Sequence, residues 1–295
     1  MGRPATRVPA RELLVVEAPD EVRGQTADVR KRGVLVGLVP TMGALHEGHM
    51  SLIREARARC GYVAASIFVN PTQFGPHEDF QRYPRPLEAD VEACRGAGVD
   101  LVFHPSAATM YGAGFGTFVD VERLSTVWEG AFRPGHFRGV ATVVLKLFHI
   151  VQPDVAFFGQ KDYQQQLLIR SMCRDLDLPV EIHSCPTVRE PDGLALSSRN
   201  RYLSPAERES ALSLSRSLRL AADRLGGGET DVAAVRGAML EHLQGAAGVD
   251  VDYAAIVHPD TLEEPDEPLP EMVALVAARV GKTRLIDNML IECPR

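Results

Sequence analysis

Val34-Leu35-Val36-Gly37-Leu38-Val39, running into Pro40-Thr41-Met42-Gly43-Ala44-Leu45-His46-Glu47-Gly48-His49, decides the fold of this chain. The first six residues are almost uninterrupted in their apolar character. That pattern reads as a short strand buried on both faces. The glycine-containing segment after it opens a helix, whose apolar periodicity continues over residues 52–60. A buried strand, a tight turn and a helix form the first half of a βαβ unit.

The same alternation extends outward. Further strands are predicted over 62–69 (ending at Asn70-Pro71), 99–103, 155–158 and 180–185, with helices over 87–97, 140–151 and 163–176. Apolar strands separated by helices predict a parallel sheet covered on both faces. In such doubly wound sheets, ligands bind beyond the carboxyl ends of the strands. The character changes after Ser204-Pro205. A helix is predicted over 206–225, with Ser204 as N-cap and Pro205 at the first helical position. Gly226-Gly227-Gly228 breaks it, and a second helix follows over 231–243. Short strands are predicted near 251–257, 272–278 and 284–291, with Gly281-Lys282 turning the last two into a hairpin. The expected organisation is a Rossmann-like α/β domain over 1–188 and a smaller α+β domain over 189–295.

At 295 residues the chain suits one large domain or two unequal ones, and 45% hydrophobic residues suffice for a real core. A net charge of −7 with no basic cluster argues against nucleic acid as the main partner. Cys60, Cys94, Cys173, Cys185 and Cys293 are odd in number and show no CxxC spacing. They read as reduced packing cysteines rather than a disulfide framework or a zinc site. Residues 1–11 carry Pro and Arg without the apolar run of a signal peptide, and no apolar stretch is long enough to span a bilayer. A cytoplasmic protein with no membrane partner is expected.

Four segments carry candidate chemistry. In the first, His46 and His49 are three residues apart and share one face of a helix start. Gly43 and Gly48 allow backbone to approach a ligand. Free N–H groups and the positive dipole end suit phosphate, and two imidazoles can donate to phosphate oxygens as charge develops. A zinc site is the competing reading, but His-Glu-Gly-His lacks the four-residue spacing that two helical zinc ligands require. A purely structural pair of histidines is the other. The second segment is Leu196-Ser197-Ser198-Arg199-Asn200, in which two hydroxyls precede a guanidinium able to grip phosphate. By itself it is also an ordinary exposed loop. The third is Phe157-Phe158-Gly159-Gln160-Lys161-Asp162-Tyr163-Gln164-Gln165, where Gly159 gives backbone access, Lys161 gives a compact cation and Gln165 lies one helical turn on. The fourth is Phe68-Val69-Asn70-Pro71-Thr72-Gln73-Phe74-Gly75. Its Asn70 and Gln73 amides suit a neutral polar substrate group against a Phe wall. The third is also readable as a solvated helix start and the fourth as a polar loop; the conjunction of all four segments, at strand ends or a nearby loop of one predicted sheet, is what points to a crevice.

Together these four segments, in this order, resemble the pantoate–β-alanine ligase (pantothenate synthetase) family, over nearly the whole chain. The match includes Asp192-Gly193-Leu194-Ala195 leading into the Ser-Ser-Arg loop. The first segment is similar to the His-x-Gly-His signature of the wider nucleotidylyltransferase superfamily. The Ser-Ser-Arg loop is similar to its Lys-Met-Ser-Lys-Ser loop, with Arg199 as the final cation. Leu196 stands where Met is usual and Gln160 where Glu is often seen. The resemblance implies ATP-dependent condensation of pantoate with β-alanine through a pantoyl adenylate, with AMP and pyrophosphate as products. It assigns ATP to Met42, Gly43, Ala44, Leu45, His46, Glu47, Gly48 and His49, to Gly159, Gln160, Lys161 and Asp162, and to Val188, Leu196, Ser197, Ser198 and Arg199. It assigns pantoate to Gln73 and Gln165, and makes His49 the proton donor. It further implies Mg²⁺, with Asp90 a candidate ligand, a homodimer, and a C-terminal domain acting as a lid.

Rival readings remain open to the sequence. An enzyme adenylating a phosphate acceptor would need extra cations where the Asn70 and Gln73 loop offers neutral amides. A non-catalytic nucleotide-binding module would have no use for two imidazole donors and a loop cation together. A tRNA synthetase is disfavoured, because the acidic stretch after Arg199 is too small for a separate RNA-reading module.

Overall fold

The computed structural model describes residues 12–76 and 78–294. The segment 1–11, read above as lacking a signal-peptide core, lies outside the described residues. In chain order the elements are β1 (Leu14–Val16), α1 (Pro19–Arg30), β2 (Val36–Thr41), α2 (Glu47–Arg59), β3 (Tyr62–Ile67), α3 (Leu87–Gly96), β4 (Leu101–Phe103), α4 (Ala107–Met110), α5 (Glu129–Phe132), α6 (His136–Val151), β5 (Val155–Gly159), α7 (Tyr163–Asp175), β6 (Glu181–Cys185), α8 (Pro205–Gly226), α9 (Val232–Gln244), β7 (Val249–Val257), β8 (Glu271–Val280) and β9 (Thr283–Glu292). Among these no helix is long and apolar enough to cross a membrane.

The chain divides into two compact units. The first takes the described residues through Ser125, then Arg133–Gly159 and Gln164–Pro186. The second takes Thr126–Phe132, Gln160–Tyr163 and the residues from Thr187 on.

Unit 1 is built on a six-stranded sheet in the order β1-β4-β3-β2-β5-β6, every pairing parallel. From β2 the chain winds outward through β3 and β4, then crosses back to lay β5 on the other side of β2. The direction of winding therefore reverses between β2 and β5. That reversal opens a crevice at their carboxyl ends, where Thr41 and Gly159 close the two strands. The strands are apolar on both faces because helices cover both. Val39, Val63, Val102 and Phe157 join Ile53 and Ala56 of α2 in one buried cluster. Burying Ile53 alone contributes about 1.5–3 kcal/mol. Helix α6 runs against the one-turn 3₁₀ helix Pro71–Gln73 so closely that a Cβ on Gly139 would lie 2.4 Å from the Thr72 carbonyl oxygen. Only glycine fits there.

Unit 2 packs α8 and α9 on the antiparallel sheet β7-β8-β9. Its core joins Leu218, Met239, Ile256 and Val276. Ser204 caps α8 as expected, in a reciprocal box with Glu207, and Val280 pairs with Thr283 across the Gly281-Lys282 turn.

Strand β1 and helices α1, α4 and α5 escape the sequence reading, and helices α2 and α6 start earlier than expected. Strand β1 rests on a four-residue apolar run, too short to separate strand from helix by pattern. Helix α1 buries only Val22, Thr26 and Val29 along a mostly polar sequence. Helix α2 begins at Glu47 because His46 caps it; its first turn is polar and gives no periodic signal.

Candidate active site

The loop leaving β2 is held by one carboxylate. Gly43 and Ala44 both take the left-handed conformation, with φ of +79° and +51°. A Cβ on Gly43 would meet Asp90 Oδ2 at 2.8 Å, so glycine is required. Ala44 has no such freedom, and its backbone costs roughly 1–3 kcal/mol. Asp90 offsets this: its Oδ2 accepts the Ala44 amide and its Oδ1 the Leu45 amide, each at 2.8 Å. The side chain is 3% exposed. Hydrogen bonds to a charged acceptor contribute about 1.5–3 kcal/mol each. Thr41 adds a second tie, donating to the Ser66 carbonyl at 2.7 Å while accepting the Gly43 amide at 3.1 Å. The family resemblance makes Asp90 a candidate magnesium ligand. In the structure both of its oxygens accept loop amides in a buried setting.

His46 and His49 cap helix α2 and each other. His46 Nδ1 accepts the Gly48 amide at 3.1 Å, and the His46 amide donates to His49 Nδ1 at 3.3 Å. The His46 side chain also accepts from the amide of His49, completing a reciprocal box. The rings lie 4.1 Å apart, centroid to centroid. A ring nitrogen that accepts carries no proton, so both neutral rings hold theirs on Nε2. The helix start thus does not present its Gly48 and His49 amides to a ligand as free donors, contrary to the expectation from sequence. It converts them into two oriented Nε2–H donors.

The third part of unit 1 is an amide cluster. Asn70 is 1% exposed. Its Oδ1 accepts from Tyr111 (2.7 Å) and from the Thr72 hydroxyl (2.9 Å) and amide (3.2 Å). Its Nδ2 donates to Gln73 Oε1 (3.0 Å) and to the Gly139 carbonyl (3.2 Å). Both amide protons are used, so Asn70 positions Gln73 rather than offering itself to a substrate. Gln73 Nε2 donates to Met42 Sδ at 3.2 Å, linking this cluster to the β2 loop. The Gln73 carbonyl accepts from His136 Nδ1 at 2.8 Å; His136 Nε2 faces Arg133 at 3.1 Å, and Arg133 makes a bidentate pair with Glu78. Burial pushes the Glu78 carboxyl up, but the hydrogen bonds and charge of Arg133, with His136 beyond, hold it below the usual carboxylate value. Gln165 is half-buried on α7.

Unit 2 carries the remaining predicted residues. Ser197 caps the 3₁₀ helix Ser198–Tyr202 by accepting the Arg199 amide at 3.2 Å. The Leu196 amide donates to the Val188 carbonyl at 3.0 Å, and Arg189 bridges Ala195. The Ser-Ser-Arg segment is therefore the far side of a closed hairpin-like loop, not a free tether. Lys161 and Ser197, drawn from two separate sequence segments, line one small recess together with Asn200 and Asp287. Gln160, Lys161 and Asp162 are half-buried. Sequence reasoning missed Asp287 and Asn288. Their only signal was two consecutive polar residues inside an otherwise apolar strand, both 4% exposed.

Among the described residues no three His, Cys, Asp or Glu side chains stand together as a metal site. The five cysteines are unpaired; four are buried, and burial raises Cys94 to about 12 and Cys60, Cys173 and Cys185 to about 11.

Residues 14–290 match the family model described as pantoate-beta-alanine ligase. The chain is similar to the pantothenate synthetase of Moorella thermoacetica, with 57% identity over 92% of this chain and 96% of that one. It is also similar to the crystal structure of pantothenate synthetase from Thermus thermophilus, with a TM-score of 0.88 and 49% identity over 94% of this chain and 98% of that one. A third likeness is to the pantoate-beta-alanine ligase of Francisella tularensis complexed with beta-gamma ATP and beta-alanine, with a TM-score of 0.78 and 33% identity over 95% of this chain and 98% of that one.

Proposed function

Because the chain belongs to the pantoate–β-alanine ligase family, we propose that the groups carried by its two units serve one reaction sequence on ATP. The protein ligates pantoate to β-alanine with consumption of ATP. In the first step the pantoate carboxylate attacks the α-phosphorus. The bond to the bridging oxygen breaks, and pyrophosphate leaves with the electron pair. In the second step the β-alanine amine attacks the acyl carbonyl of the pantoyl adenylate, AMP leaves, and the amine gives up a proton.

The substrate brings its own nucleophile, so the protein's work is alignment and charge stabilisation. The observation that carries this reading is that main-chain amides bond to Nδ1 of both His46 and His49 at the carboxyl end of β2, which leaves Nε2 of each neutral ring to carry its proton. Two Nε2–H donors, held by the backbone they cap, suit the α-phosphate oxygens as charge builds there. His49 is the proton donor of the pair. Lys161 and Arg199 counter the charge of the departing pyrophosphate, with Ser197 and Ser198 as hydroxyl donors. Gln73 and Gln165 take pantoate. Magnesium is expected to arrive with ATP, and no step here passes through it. The family likeness further supports a cytoplasmic homodimer, which sedimentation of the purified protein checks.

The test is a coupled assay with each substrate omitted in turn. Pyrophosphate release requiring pantoate, and AMP release requiring pantoate and β-alanine, support the reading. A dinucleotide product without free AMP would overturn it.

A further inference from the structure

Strand β9 of unit 2 reaches both chemistry-bearing segments of that unit. Asn288 Nδ2 donates to the main-chain carbonyls of Gln160 at 2.9 Å and Lys161 at 2.8 Å. Its neighbour Asp287 accepts both arms of Arg189, at 2.7 and 3.0 Å. Arg189 also donates to the Gly193 and Asn288 carbonyls. The Asp287 side chain further accepts the main-chain amide of Asn288 at 2.8 Å, which ties the Arg189 pair to the backbone of the residue that holds Gln160 and Lys161. Arg189 begins the loop that returns through Ala195 to Ser197 and Arg199. Lys161 and Ser197 then meet in the recess that Asp287 also lines.

The backbone of a short connection is held only as firmly as its main-chain groups are bonded, and the Lys161 side chain starts from wherever that backbone is held. Two donors from one buried amide fix both peptides at once. The Arg189–Asp287 pair is 22% and 3% exposed at its two side chains, which places it where a charge-assisted bond is strong. We propose that Asp287 and Asn288 are positioning residues for the adenylation step: they lock Lys161 and the Ser197–Arg199 loop into one fixed phosphate-binding arrangement. This rests on the reading of Lys161 given above. Neither residue needs to touch a substrate, because a displacement on the order of 1 Å at a charge-stabilising group costs about 10²-fold in rate.

The experiment is a double-mutant cycle on pantoate-dependent pyrophosphate release, with Lys161→Ala, Asn288→Ala and the pair combined. Asn288→Ala is expected to lower kcat roughly 10- to 100-fold while leaving the KM for pantoate within about twofold. The combined variant is expected to be no slower than Lys161→Ala alone, because Asn288 acts through Lys161. A general loss of stability does not produce that non-additivity. If Asn288→Ala fails to fold, Asn288→Ser keeps a small donor and runs the same cycle. A native rate for the Asn288 variant beside a slow Lys161→Ala, or rate losses that multiply in the pair, overturns the inference alone. A native rate for Lys161→Ala overturns the reading of Lys161 on which it rests, and the inference with it.

Discussion

Asp90 accepts the main-chain amide of Ala44 at 2.8 Å across 46 residues of sequence. That one bond joins helix α3 to the loop from which His46 and His49 start, and it stabilises a left-handed residue that has no glycine to relieve it. Replacing Asp90 by Asn removes the charge and sets an NH₂ against one of the two amides. We expect a loss of about 1–3 kcal/mol in stability and an adenylation rate lower by roughly 10- to 100-fold. The magnesium concentration giving half-maximal activity stays at the native value. A large upward shift of that concentration would identify Asp90 as a metal ligand instead.

Gln73 and Asn70 separate by role. Gln73→Ala raises the KM for pantoate about tenfold or more, the scale of one lost hydrogen bond to a polar substrate, and leaves the KM for ATP within about twofold. Asn70→Ala removes a buried hub with five hydrogen bonds, so the protein itself melts at a lower temperature. Equal losses of pantoate and ATP binding in Gln73→Ala would show that its amide does not serve pantoate.

The Glu78–Arg133 pair gives a pH signature. Glu78 is held below its ordinary value of 4.5 in the folded chain. Its contribution to stability is therefore fully present above that value and is lost as pH falls through the lower, folded value. The stability difference between native protein and Glu78→Gln should be largest at neutral pH and shrink below about pH 4.5. Chemical denaturation at a series of pH values measures it, and a difference independent of pH would contradict the assignment.

The thiols are predicted to be silent. Cys60, Cys94, Cys173 and Cys185 are buried and raised to about 11 or 12, so an aromatic disulfide reagent at about pH 8 should label only Cys293 rapidly in the native protein. Fast labelling of more than one thiol would mean that unit 1 opens on the timescale of the reaction.

Sequence reading went furthest where a single local rule governs. The buried strands announced themselves as apolar runs, Ser204 as a cap, and the Gly281-Lys282 turn as a hairpin. It fell short where one residue's role depends on a partner distant in sequence. Asp90 and Asn70 both looked available for ligands, because nothing in their neighbourhoods shows that Ala44, Leu45, Tyr111 and Gly139 already occupy them. Asp287 and Asn288 drew no notice for the same reason: their partners at 160–161 and 189 lie about a hundred or more positions away. The histidine pair was legible as a phosphate-binding motif, but the tautomer that makes both rings donors is a property of the folded cap.

The most direct measurement is pantoate-dependent pyrophosphate release in the absence of β-alanine, with native protein and His49→Ala compared in a single turnover. Loss of one preorganised donor predicts a fall of roughly 10²- to 10³-fold in the rate of this step, with far-ultraviolet dichroism unchanged. A His49→Ala protein that still releases pyrophosphate at close to the native rate would contradict the account.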